Sequence, residues 1–70
     1  REKRREALAR FAVQQADAVA ASGEARALEP MPSADRKVIH DALSGRTDVQ
    51  THSEGDDPHR RIVIAPASAD

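Results

Sequence analysis

The first 22 residues contain neither glycine nor proline, and the three glycines and four prolines of the chain all lie beyond them. That punctuation sets where regular elements can begin and end. Within residues 1–22, Leu8, Phe11, Ala12, Gln15 and Val19 recur at three- and four-residue spacing and give one apolar stripe. Alanine is abundant there, so helix propensity agrees with the pattern. Ser22-Gly23 closes the helix, with Gly23 suited to a left-handed cap. Residues 25–29 are expected to be a short extended segment ended by Pro30 and Pro32, because proline restricts the residue before it to extended geometry. Ser33 is expected as the N-cap of a second helix, and Asp35 suits its positive end. This helix should run to about Ser44 and be stopped by Gly45.

The second half changes period. Residues 48–54 alternate, with Val49, Thr51 and Ser53 facing one way and Gln50, His52 and Glu54 the other. Gly55-Asp56-Asp57-Pro58 reads as a turn. Residues 60–65 read as a β-branched strand, with Ile62 and Ile64 on one face and Arg61 and Val63 on the other. The two strands are expected to form a hairpin. The order is then helix, strand, helix, strand, strand. One domain is expected over 1–70: a helix at 1–22, a core at 24–66 and a frayed tail at 67–70.

The core of such a fold must be thin. A chain of 70 residues buries only about 60% of its unfolded surface. Only thirteen of its residues are apolar and larger than alanine, with one Phe, one Met and neither Trp nor Tyr among them. This supports one small core and leaves no room for a large enclosed substrate cavity. No apolar run approaches the roughly 18 residues of a membrane span, and no signal peptide is visible. Without cysteine there can be no disulfide and no thiolate zinc site, which fits a cytoplasmic protein. The chain opens on Arg rather than Met, so it is expected to be a fragment of something longer.

Net charge is -1, so bulk electrostatics does not point to nucleic acid. The local pattern does more. Arg36-Lys37-Val38-Ile39-His40 sets an arginine and a histidine four apart on the second helix, hence on one face. Lys37 lies one step further round, and Val38, Ile39, Ala42 and Leu43 occupy the opposite arc. A forked cation, a titratable ring and a lysine on one side make a surface able to grip phosphate. The plain alternative is an ordinary helix edge, with Arg36 paired to an acid and His40 partly packed. Arg60 and Arg61 open the last strand, and since successive strand residues point to opposite faces, only one can share the surface of Arg36 and His40. They could equally be charges that discourage edge pairing. The basic run from Arg1 to Arg5 could meet nucleic acid or be a solvated helix start. His40, His52 and His59 have no zinc-like spacing, and Glu54, Asp56 and Asp57 lie in a solvated turn, so neither metal, cofactor nor catalysis is expected.

The residues from Met31 to Pro66 carry a resemblance. Met-Pro-Ser-Ala-Asp-Arg-Lys-Val-Ile-His is followed by Val49-Gln-Thr-His-Ser-Glu-Gly-Asp-Asp-Pro-His-Arg-Arg-Ile-Val-Ile-Ala-Pro. This resembles the R-three-H domain, whose signature is Arg-x-x-x-His. More narrowly it is similar to the C-terminal domain of the bacterial Jag, or SpoIIIJ-associated, family. The shared features are Met and Pro before the helix, Arg-x-x-Ile-His within it, Thr-x-Ser-x-Gly, a turn with Pro, and Arg before a β-branched strand. The resemblance implies a small α/β (α+β) fold, in which a three-stranded antiparallel sheet packs on two helices. It implies binding of single-stranded nucleic acid, RNA before single-stranded DNA, with a KH domain next to this one; that no membrane insertion is expected rests on the missing apolar run. It also implies protein partners in envelope- or insertase-linked complexes. Arg36 and His40 match the signature, Lys37 and Arg60 the basic positions near it, and Thr51, Ser53 and Gly55 the segment that ends the middle strand; Arg61, beside Arg60, is also expected among the nucleic-acid contacts. The acidic Asp56-Asp57 turn departs from what phosphate contact would favour. Single-strand binders usually add aromatic platforms for bases. Here Trp and Tyr are lacking, so weak, sequence-tolerant binding dominated by phosphate contact is expected. The competing expectation is a protein-interaction module in which Arg36 and His40 are structural.

Overall fold

The computed structural model describes residues 2–67. Five elements follow one another: helix α1 (Glu2–Ser22), strand β1 (Arg26–Ala27), helix α2 (Ser33–Leu43), strand β2 (Val49–Glu54) and strand β3 (Arg61–Pro66). The strands form one antiparallel sheet in the order β1-β3-β2, with β3 in the middle. This is the expected order and the expected α+β architecture. Among the described residues, no helix is long and apolar enough to cross a membrane.

Both helices pack on one face of the sheet. Ala12, Ala16 and Val19 of α1 and Ile39 and Leu43 of α2 meet Leu28, Val49, Ile62 and Ile64 in a single core. Ile39, Ile64 and Val19 are the largest side chains fully removed from water. Val63 points to the other face of the sheet, as its parity requires, and is nonetheless buried while standing outside this cluster.

Phe11 does not join the core. It is 38% exposed, and Ala16 takes its place in the buried stripe beside Ala12 and Val19. At about 100° per residue, Phe11 lies roughly a quarter-turn or more from the centre of that stripe, and the alanines let α1 lie close to the sheet. Two helix ends also differ from expectation. The N-cap of α2 is Pro32, whose carbonyl accepts the N–H groups of Asp35 and Arg36 at 3.0 and 3.1 Å, while Ser33 is already inside the helix. A proline in extended geometry fits that place, since an N-cap needs a carbonyl to offer and no N–H. Helix α2 ends at Leu43, where the Ser44 N–H and hydroxyl both donate to the Asp41 carbonyl. Gly45 is not left-handed, so the helix is closed by the serine instead. Gly23 does take the expected left-handed cap, with φ of 76° and its N–H on the Val19 carbonyl at 2.8 Å.

Strand β3 extends to Pro66, and Ala67 donates to the Asp48 carbonyl at 3.0 Å. The expected frayed tail is therefore tied at its first residue, and its remainder, 68–70, lies outside the described residues.

Candidate functional site

Helix α2 lies against β2, and a shallow groove of about 400 Å³ opens along their seam. It is lined by Ser33, Arg36, Lys37, His40, Thr51, His52, Ser53 and Ile62. Five of the residues singled out from the sequence thus meet in one place: Arg36, Lys37 and His40 from the helix, Thr51 and Ser53 from the strand. The helix supplies its share because positions 36 and 40 fall on one face. The strand supplies Thr51 and Ser53 because alternation turns them toward α2, as their half-buried state records.

Each cation in the groove has a partner. The Arg36 guanidinium donates to the Met31 carbonyl at 2.6 Å and stands 3.7 Å from the Asp57 carboxylate. Its side chain is only 11% exposed, whereas that of Asp57 is 81% exposed. Lys37 pairs with Asp41 one turn on, at 3.1 Å, with both ends in solvent. Nδ1 of His40 lies 2.9 Å from the Thr51 hydroxyl, which joins helix to strand across the groove. Nε2 of His40 has no hydrogen-bond partner among the described residues.

The backbone of β2 adds donors of its own. Because Ala67 bonds to the Asp48 carbonyl and the register is continuous, residues 50, 52 and 54 turn their backbone groups to β3. Those of Val49, Thr51 and Ser53 therefore face the open edge of the sheet. Among the described residues the edge-facing N–H groups of Thr51 and Ser53 have no backbone partner, so backbone donors stand beside the side chains of the groove.

Gly55, Arg60 and Arg61 stand apart from the groove lining. Arg60 donates to the Gly55 carbonyl at 2.8 Å and closes the base of the hairpin loop. Gly55 has φ of 90°, and a Cβ there would come within 3.1 Å of the His59 carbonyl oxygen, so this turn requires glycine. Arg61 pairs with Glu54 in the sheet register and projects from the face opposite Ile62 and Ile64. Sequence reasoning gave Ser33, His52 and Ile62 no place in the groove. Only the seam geometry brings them there, and nothing in their local pattern marks it. Among the described residues, no group of three His, Asp or Glu side chains could hold a metal ion.

The family model for the R-three-H domain matches residues 6–66. The RNA-binding protein KhpB of Lactiplantibacillus plantarum is 48% identical over 65 residues, covering 93% of this chain and 20% of that protein. The protein of the same name from Bacillus subtilis is 43% identical over 65 residues, covering 90% of the chain and 31% of that protein. That from Streptococcus pneumoniae is 36% identical over 63 residues, covering 90% and 19%. The chain thus spans between about a fifth and a third of the length of these curated relatives.

Proposed function

As this chain belongs to the R-three-H domain family, we propose that it binds single-stranded nucleic acid, RNA in the first place, along the seam between α2 and β2. The observation that carries this reading is the convergence of Arg36, Lys37, His40, Thr51 and Ser53 on one groove beside an open strand edge. Its relatives are named as RNA-binding proteins, which supports the choice of ligand. Cationic side chains, hydroxyls and backbone N–H groups are the donors that phosphate and sugar oxygens take. Arg60 and the Gly55 turn extend the same surface toward the hairpin loop. Arg61, on the other face, joins only if the strand wraps the end of the sheet.

No Phe, Tyr or Trp lines the groove. Stacking, which elsewhere gives about 1–3 kcal/mol per base, is left there to the imidazoles of His40 and His52 and to arginine planes. Binding by this domain alone is weak and tolerant of sequence. Useful affinity comes from tethering to a second RNA-binding domain in the parent protein, of the KH type that the resemblance implies. This is a binding module rather than an enzyme, and a cytoplasmic location goes with it.

A second reading has its own support. The burial of Arg36 and its bond to the Met31 carbonyl favour a structural role for the signature, in a domain whose partners are proteins. An NMR titration of the isotope-labelled domain with a short single-stranded RNA at low salt tests both. Shifts at Lys37, His40, Thr51–Gly55 and Arg60 are expected. An unchanged spectrum at millimolar RNA would overturn the nucleic-acid reading in favour of the second.

A further inference from the structure

Lys37 stands in the wall of two depressions. On one side it borders the groove of His40 and Thr51. On the other it borders a cleft of about 500 Å³ between α1 and α2, shared with Arg5, Ala9, Ala34, Val38, Asp41 and Ala42. That volume falls within the roughly 300–1,000 Å³ typical of small-ligand sites. The sequence explains the gap. Where two helices cross, side chains of one normally fill the grooves of the other. Ala9 on α1 and Ala34 and Ala42 on α2 are too short to do so.

The cleft joins an apolar floor to a basic rim. Ala9, Val38 and Ala42 are half-buried and Ala34 is exposed. Lys37 is shared with Asp41, while none of the ion pairs among the side chains of residues 3–67 involves Arg5. A strand lying in the α2–β2 groove and passing over Lys37 arrives at this floor. Its bases need an apolar surface, and the groove itself offers no large aromatic ring.

We infer that this cleft is a second subsite for the same strand. It takes an unstacked nucleobase against Ala9, Ala34, Val38 and Ala42, with the adjoining phosphate held by Arg5 and Lys37. The inference rests on the nucleic-acid reading above and adds a base-accepting site to it. It places part of the binding surface on α1, away from the Arg-x-x-x-His signature.

The test follows the methyl signals of Ala9, Ala34, Val38 and Ala42 in the whole domain as a single-stranded RNA long enough to span both depressions is added. Fluorescence anisotropy with the same RNA measures affinity for Ala34→Leu, which fills the cleft from an exposed position, and for Arg5→Ala, which leaves the core untouched. The methyl signals should move together with those of His40 and Thr51, and each variant should bind about fivefold more weakly with an unchanged thermal midpoint. Motion of His40 and Thr51 with still methyl signals and unaltered variant affinities would overturn the cleft and leave the groove reading standing. Stillness of both sets would overturn both.

Discussion

The Arg36 guanidinium donates to the Met31 carbonyl across 2.6 Å, and the Met31 N–H in turn donates to the Arg60 carbonyl at 3.1 Å. One residue thus links the signature arginine, the proline turn before α2 and the start of β3. A largely buried hydrogen bond from a charged donor is worth about 1.5–3 kcal/mol. Arg36→Ala should therefore lower the unfolding free energy by about that amount, read as a lower urea midpoint at unchanged slope. Arg36→Lys should recover only part, since an ammonium keeps the charge but not the fork. A midpoint equal to that of the unmodified domain would show that this bond contributes nothing.

His40 offers the cleaner probe of binding. Its contact with Thr51 is exposed and neutral on the threonine side, so its loss should cost no more than about 1.5 kcal/mol. His40→Ala is expected to stay folded at room temperature and to lose most of its affinity for single-stranded RNA. Retained affinity in the folded variant, measured by anisotropy, would move the site away from the seam.

Much of this arrangement is legible in the sequence, for identifiable reasons. The element order follows from where glycine and proline fall, and β2 from strict alternation between Val49 and Glu54. The signature places Arg36 and His40 on one helical face. The burial of Arg36 is not legible, because it depends on a carbonyl presented by the turn at Met31 and on Asp57 arriving from the hairpin loop. Nor is the exposure of Phe11. Its residue type argues for the core, and only the angular position of Ala12 and Ala16 shows that alanines hold that face. The cleft beside Lys37 has the same origin, since it is made by what two helices fail to fill.

Asp57 should act against binding. Its exposed carboxylate lies 3.7 Å from Arg36 and must be displaced or tolerated by any phosphate that arrives there. With the aspartate end in solvent and 3.7 Å between the charges, the pair is worth about 0–1 kcal/mol, so Asp57→Asn should tighten RNA binding by up to about fivefold. Weaker binding by this variant would mean that Asp57 orders Arg36 for the ligand.

The salt dependence reports how many cations the strand meets. Each phosphate neutralised on a single strand contributes about -0.7 to the slope of log affinity against log salt. Arg36, Lys37 and Arg60 together give about -2, and Arg5 in the cleft would bring the slope close to -3. A slope near zero would remove phosphate contact from the account altogether.

Stability in acid should depend on a different part of the molecule. Arg46 grips Asp48 with two parallel bonds, at 2.9 and 2.7 Å, and reaches Asp17 on α1 with a third, at 2.8 Å. The bonds from Arg46 hold the Asp48 carboxyl below the ordinary aspartate range, against a smaller opposing effect of burial. The same bonds raise the Arg46 pKa. A depressed carboxyl favours the folded state wherever the unfolded chain would already be ionised, that is above about pH 4. The contribution is lost as pH falls from there through the lower, folded value. Asp48→Asn cannot ionise, so it lacks this contribution at every pH. Thermal midpoints of the two proteins should differ by a constant amount above about pH 5 and converge below about pH 4. Curves that stay parallel down to about pH 2 would show that Asp48 titrates alike in the folded and unfolded chain, and that its bonds from Arg46 add no stability that depends on pH.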